Sequence, residues 1–278
     1  MEVCWAVLAQ VAYRDGMGGD EPRIAAWLAA ADAITLLTGA GISTDSGVPD
    51  FRGPQGVWTR DPEAARLFTL HAYVTDPLVR QRSWRSRREH AAWQAQPNAA
   101  HYALVELERA GKLHGIVTQN IDALHQRAGS SADKVIEVHG TLFEVECLAC
   151  GERTEMRAAL DRVAAGEADP DCLRCGGILK SATISFGQAM DPFTLRAAVD
   201  AAAACDLFIA VGTSLRVQPV AGLVDVARGG GAKVVIINGA PTPYDDVADA
   251  VLREPIGEVL PRLVQAGVAG ARRFGRST

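Results

Sequence analysis

Four short, almost uninterrupted apolar runs, each leading into a small or polar residue, confine this chain to a narrow set of folds. They are Ala33–Leu37, Gly115–Thr118, Leu207–Gly212 and Lys233–Asn238. Runs that are apolar at successive rather than alternate positions suit strands buried on both faces of a parallel sheet. Helical segments separate them, at about Glu21–Ala31, Ala99–Ala110, Pro192–Ala203 and Val217–Ala227. This alternation predicts an α/β fold with a doubly wound parallel sheet. In such a sheet ligands bind beyond the carboxyl ends of the strands. Polar or glycine-rich motifs stand at all four of those ends, at Gly39, Gln119, Gly212 and Asn238.

Two segments break the alternation. Residues 53–96, rich in Arg, Trp and Ala, carry a helix expected over Pro77–Ala92, and residues 142–182 hold paired cysteines. Both read as insertions that build a smaller second lobe. Residues 21–52, 97–141 and 183–266 then form a discontinuous main domain. Residues 1–20 read as a loosely attached extension, with Met17 as an alternative start, and 267–278 as a flexible tail. A chain of 278 residues is long enough for this division and for a substantial core.

Composition removes some function classes. A net charge of −5 lacks the basic footprint of a nucleic-acid binder. No apolar run approaches the roughly 20 residues of a membrane span. Val3–Val11 is apolar but short and has no basic flank, so it does not read as a secretory signal.

Cysteine spacing is the strongest local signal. Cys147-x-x-Cys150 and Cys172-x-x-Cys175 supply four thiolates for tetrahedral zinc, while Cys4 and Cys205 stand alone. Four thiolates leave no open coordination position, so the metal would be structural. Paired CxxC knuckles without a signal segment point to a metal site in a reducing cytoplasm rather than to disulfides.

The richest motif runs Gly39-Ala40-Gly41-Ile42-Ser43-Thr44-Asp45-Ser46-Gly47-Val48-Pro49-Asp50-Phe51-Arg52. A strand ending in small residues lets backbone N–H groups approach a phosphate. Thr44 stands where G-x-G-x-x-G wants glycine, so the loop departs from the hydride-transfer fingerprint. The added Asp50, Phe51 and Arg52 bring a carboxylate, a ring and a guanidinium that suits bidentate phosphate contact. Thr118-Gln119-Asn120-Ile121-Asp122-Ala123-Leu124-His125 follows the next strand. Asn120 and Asp122 suit N-capping by themselves, or a carboxamide ligand when set beside the Gly39 loop. His139, in Glu137-Val138-His139-Gly140, is the candidate for proton transfer, against the blander reading of a hydrogen-bonded structural histidine.

At these residues the chain resembles the sirtuins, NAD-dependent protein-lysine deacylases. The resemblance spans about Ala33 to Leu260. It rests on GAGIS-x-x-SG-x-PDFR, TQNID-x-LH, E-x-HG, the cysteine quartet, Phe186-Gly187, Gly212-Thr213-Ser214-Leu215 with Val217 and Pro219, and Asn238. It implies a Rossmann-like domain that binds NAD and a smaller zinc-ribbon and helical domain, with one structural Zn²⁺ and an acyl-lysine protein substrate in the cleft between them. The peptide would add as a strand between Phe186-Gly187 and Val217. The acyl oxygen would attack the ribose carbon that bears nicotinamide. His139 would then take a ribose hydroxyl proton, giving O-acyl-ADP-ribose. Catalysis falls to His139 and Asn120. NAD contacts fall to Gly39, Ala40, Gly41, Ile42, Ser43, Asp50, Phe51, Arg52, Gln119, Asn120, Ile121 and Asp122, and on the adenosine side to Gly212, Thr213, Ser214, Asn238 and Leu252 or Arg253.

Two departures bear on the substrate. Gln188 replaces the acid that commonly follows Phe-Gly in the family. Where members that prefer succinyl or malonyl lysine show Tyr-x-x-Arg, this chain reads Trp84-Arg85-Ser86-Arg87. Trp84 and Arg87 are candidate acyl contacts, against the alternative that Trp84 packs in the small lobe and Arg87 is solvated. Deacetylation is the first expectation. Protein mono-ADP-ribosylation on the same scaffold, and a non-catalytic NAD-sensing zinc-ribbon module, are the alternatives.

Overall fold

The computed structural model describes residues 19–53, 56–61 and 68–274. Apart from Gly19 and Asp20, the expected N-terminal extension lies outside the described residues. The main sheet has six parallel strands. In chain order these are β1 (Ile34–Thr38), β2 (Leu113–Thr118), β3 (Val135–Glu137), β7 (Leu207–Val211), β8 (Lys233–Ile237) and β9 (Ala250–Leu252). Their spatial order is β3-β2-β1-β7-β8-β9, so the order reverses between β1 and β7. This is the dinucleotide-binding arrangement, and the crevice at the reversal is where its ligands bind.

Helices cover both faces. On one lie α1 (Glu21–Ala30), α4 (Ala99–Arg109) and α9 (Ile256–Phe274), whose Ile24, Leu28, Leu104, Leu107, Leu260 and Leu263 pack on Ile34, Leu36 and Ile116. On the other lie α7 (Pro192–Ala203) and α8 (Leu223–Gly229), built largely from alanine and valine against Phe208, Ala210 and Ile236. Small residues there let the helices sit close to the sheet. Burial on both faces explains why the strands carry no polar alternation.

A second sheet of three antiparallel strands, order β5-β4-β6, is made from β4 (Gly140–Cys147), β5 (Arg153–Glu155) and β6 (Leu179–Thr183). Against it pack α3 (Pro77–Arg88) and α6 (Met156–Ala164), around Trp84, Val145, Met156, Leu160 and Leu179. An ion pair, Arg80 Nε to Asp169 at 2.7 Å, ties α3 to the cysteine-bearing segment.

Three expectations are corrected. The helix expected from Val217 begins only at Leu223, after a short 3-10 turn at Val220–Gly222. Pro219 biases Gln218 away from the helical region, and residues 217–219 instead line the cavity described below. The helix expected to Ala92 stops at Arg88. The chain from Gly267, expected as a flexible tail, continues α9 to Phe274. Gly267 is a packing glycine, since a Cβ there would stand 2.5 Å from Leu28 Cβ on α1. Arg262 locks the same pair of helices through two 2.8 Å hydrogen bonds to the buried Glu21 carboxylate.

Candidate active site

The loops that leave β1 and β7 are pressed together backbone against backbone at the reversal point. Gly39 N–H donates to the Val211 carbonyl at 3.0 Å and Gly41 N–H to the Gly212 carbonyl at 2.9 Å. A Cβ on Gly41 would stand 2.7 Å from Gly212 Cα, and one on Gly212, whose φ is +62°, would stand 2.4 Å from Ile42 N. These glycines therefore serve the close passage of two loops. The N–H groups of Gly39 and Gly41 are both spent on the end of β7 and the residue after it. Gly212→Ala combines a backbone clash with a left-handed conformation that alone costs about 1–3 kcal/mol. A fall in the thermal midpoint of several degrees is expected, and an unchanged midpoint would contradict this packing.

Around these loops opens a cavity of about 1610 Å³. That exceeds the ~300–1,000 Å³ of an ordinary small-molecule pocket and suits a dinucleotide together with an inserted side chain. Leaving the cysteines aside, every site residue expected from the sequence lines it except Ile42, Ser43, Leu252 and Trp84. Ile42 and Leu252 are buried in the core beneath the loops. Ser43 stands behind the wall, where its hydroxyl donates to Asp122 Oδ2 at 2.7 Å and accepts from Asn120 Nδ2 at 3.2 Å. Trp84 is in the small-lobe core with its indole nitrogen 3.4 Å from Asp169, so of the Trp84–Arg87 pair only Arg87 reaches the cavity.

The β2 end supplies the polar floor. Gln119 Nε2 donates to Thr213 Oγ1 at 2.8 Å, joining the β2 and β7 ends. Asn120 Nδ2 donates to the Gly39 carbonyl at 3.1 Å, joining β2 to the β1 loop. Asp122 does some of the turn work that capping chemistry suggests, accepting Leu124 N–H at 3.0 Å. Burial holds its carboxyl above the usual range, against the Leu124 and Ser43 hydrogen bonds that favour the anion.

His139 sits between the two sheets, after β3 and directly before β4. Its Nδ1 lies 3.1 Å from the Gln119 carbonyl. A carbonyl only accepts, so Nδ1 carries the proton and Nε2 keeps a lone pair. Burial pulls its pKa below the ordinary value, against the pull of that hydrogen bond, so the ring is a neutral base at neutral pH. Gly140 must follow it, because its φ is +71° and a Cβ would meet the Ala182 carbonyl at 2.0 Å.

Asp50 proves to be a turn residue, accepting Gly53 N–H at 2.9 Å. Next to it, Arg52 lies 4.4 Å over the Trp58 ring, which packs at a tilt against Phe51 at 4.8 Å and Phe186 at 5.6 Å. Sequence reasoning missed Trp58 and Phe68, since only the fold brings them to Phe186. Phe186 spends both backbone groups on Phe68 and Leu70, at 2.8 and 2.9 Å. An added strand would therefore pair from Gly187 onward. Gln188 turns its amide oxygen back to Ser185 N–H at 3.1 Å.

The four cysteine sulfurs lie within 4.8 Å of one another, with Cys147–Cys175 at 3.5 Å and Cys150–Cys172 at 3.8 Å. Zn–S bonds of about 2.3 Å in a tetrahedron place sulfurs about 3.8 Å apart, so this cluster fits zinc. Gly177 is needed beside it, because a Cβ there would stand 3.0 Å from Cys147 Sγ.

The Sir2 family model matches residues 39–219, from the first glycine loop through His139 and the cysteine quartet to Pro219. This chain is a member of the Sir2 family. The Sir2 chain is 54% identical over 232 residues to NAD-dependent protein deacetylase 2 of Streptomyces coelicolor, covering 84% of this chain and 96% of that one. It is 40% identical over 250 residues to NAD-dependent protein deacylase 2 of Archaeoglobus fulgidus, with 88% and 96% covered. Among solved structures, a Sir2 complex with deacetylated p53 peptide and 3'-O-acetyl ADP ribose superposes with a TM-score of 0.81 at 33% identity, covering 88% of this chain and 98% of that one. A Sir2–p53 peptide–NAD⁺ complex gives 0.77 at 34% identity, with 87% and 95% covered. Among the described residues of this Sir2 protein no helix is long and apolar enough to cross a membrane.

Proposed function

We propose that this Sir2 protein is an NAD-dependent protein-lysine deacylase, acting first on acetyl-lysine, which moves the acyl group to ADP-ribose and releases nicotinamide. The observation that carries this reading is His139, neutral, held at Nδ1 by the Gln119 carbonyl and lining the same cavity as Asn120 and Asp122. NAD supplies a glycosidic bond whose cleavage offers the ribose carbon to the acyl oxygen. The chain's residues do the rest. Asn120 and Asp122, cross-linked through Ser43, orient the nicotinamide end. Phe51 and its aromatic neighbours cover the reacting carbon from water. His139 Nε2 accepts the ribose hydroxyl proton in the second stage. Thr213, Ser214, Asn238 and Arg253 hold the adenosine end. Residues 21–52, 97–141 and 183–266 are proposed as the NAD-binding domain, and 53–96 with 142–182 as the small domain. Cys147, Cys150, Cys172 and Cys175 would hold zinc there with four thiolates, which leaves the metal a structural role. Incubation with NAD and an acetyl-lysine peptide should release nicotinamide only when the acyl group is present. Release that ignores the acyl group would favour ADP-ribosyl transfer, and no release would favour a binding module.

A specific observation supports a second, acidic class of acyl group. Arg87 lines the cavity, donates to the Thr183 hydroxyl at 3.4 Å, and its buried Nε has no partner among the described residues. No carboxylate pairs with it among the described residues. The neighbouring Lys180 amine is pushed down to about 8 by burial and by the Arg87 charge. A dicarboxylic acyl chain would give the Arg87 guanidinium a carboxylate partner. We expect Arg87→Met to lower the succinyl-to-acetyl ratio of kcat/KM by about tenfold or more, the size of a charge-assisted hydrogen bond. An equal ratio in both proteins would dispose of the second class.

A further inference from the structure

Two histidines are sealed behind the cavity wall and have no part in the reaction above. His101 and His125 are 0% and 1% exposed, and their rings lie 5.0 Å apart. Among the described residues, His125 Nδ1 and His101 Nε2 have no hydrogen-bond partner. The other nitrogen of His125 is engaged, with Nε2 lying 3.0 Å from Thr38 Oγ1. The Thr38 hydroxyl donates to Thr118 Oγ1 at 2.9 Å, and Thr118 Oγ1 also accepts Asn120 N–H at 3.1 Å. Thr38 and Thr118 are the last residues of β1 and β2, which lead into the Gly39 loop and Asn120. One hydrogen-bonded chain therefore runs from His125 across both strand ends to Asn120, whose amide grips the Gly39 carbonyl.

The proton direction follows from counting donors. The Thr38 hydroxyl has a single proton, spent on Thr118, so it can only accept from His125. His125 must then carry its proton on Nε2. Nδ1 is left with a bare lone pair, which agrees with its having no partner. A protonated ring would add an N–H with nothing to receive it. Burial, and after it the charge of His101, push this imidazole down to about 3, so it is neutral at neutral pH.

We propose that His125 is a positioning residue: a fixed, neutral Nε2–H donor that orders the Thr38–Thr118 hydroxyl pair and so holds Asn120 and the Gly39 loop in the geometry that receives the nicotinamide end of NAD. The proposal rests on the reading of Asn120 given above. Packing alone would ask only for volume at this position, whereas positioning asks for a donor at the site of Nε2.

Three variants of the full chain separate these demands. His125→Leu fills much of the volume without a donor, Thr38→Val removes the hydroxyl at similar size, and His125→Gln restores an N–H of similar reach. NAD affinity is read by calorimetric titration, and KM for NAD and for acyl-peptide by initial rates. We expect the Leu and Val variants to weaken NAD binding by about fivefold to tenfold, the scale of one neutral hydrogen bond, with KM for the peptide nearly unchanged. The double variant should be no worse than either single one, because both break the same chain. His125→Gln should bind NAD nearly as the parent does even if its thermal midpoint falls. Parent-like affinity in the Leu and Val variants, or a loss in Gln equal to that in Leu, would overturn the proposal. Should His125→Leu fail to fold, Thr38→Val and His125→Gln carry the comparison. Titration needs no turnover, so a parent protein that binds NAD but never deacylates defeats the functional reading and not this measurement.

Discussion

His139→Ala is expected to lower acyl transfer by about 10²–10⁴-fold, the range a positioned general base supplies, while the protein stays folded. The side chain lines an open cavity and makes one bond, to a backbone carbonyl. Its removal should therefore cost about 1 kcal/mol of stability or less. The sign of the pH effect is set by burial, which lowers the imidazole pKa in the native protein. A base with a lowered pKa is neutral and competent above that value and is lost as pH falls through it. Activity of the parent should thus fall on an acid limb below the ordinary histidine value of about 6.5, and the residual activity of the variant should lack that limb. Initial rates across pH, with a thermal midpoint for each protein, check both parts. Full activity in the variant would remove His139 from the reaction.

Cys172→Ser should act on the other lobe and through stability. The buried cluster there is small, and Cys147 and Cys172 are themselves members of it. Structural zinc contributes on the order of 10–16 kcal/mol of apparent binding energy in small domains, far more than so few side chains can replace. We expect bound zinc to fall from about one per chain to near zero. The β4–β6 region should open to proteolysis while the six-stranded sheet persists. A chelator should do the same to the parent. Unchanged zinc content would refute the four-thiolate site.

Much of this was legible in the sequence where one residue's surroundings are set by its neighbours in the chain. The four central strands carry unbroken apolar runs because both faces are covered, and CxxC pairs bring their own turn. Strands β3 and β9 were not seen, since three residues at a sheet edge hold no periodicity. Gly267 read as the start of a tail because glycine weakens a helix locally, while its value lies in contact with Leu28, more than two hundred residues away. The glycine loops were legible as a motif, but the contact that requires glycine there was not. Their residues point to a bound dinucleotide, yet Gly39, Gly41 and Gly212 are required by one another. Trp84 matched an acyl-contact position by spacing, but a large apolar ring on α3 is better buried against the zinc lobe. His125 was visible only as a motif letter, because its partners Thr38 and Thr118 come from two other elements.

Cleavage of NAD in this cavity should release nicotinamide and leave the acyl group on ADP-ribose. Mass spectrometry of the products from NAD and an acetyl-lysine peptide tests this most directly. Free lysine peptide, nicotinamide and O-acetyl-ADP-ribose should form in equal amounts, with the last formed about 10²–10⁴-fold more slowly by the His139→Ala protein. Acetate with intact NAD, or ADP-ribose attached to protein in place of O-acetyl-ADP-ribose, would contradict it.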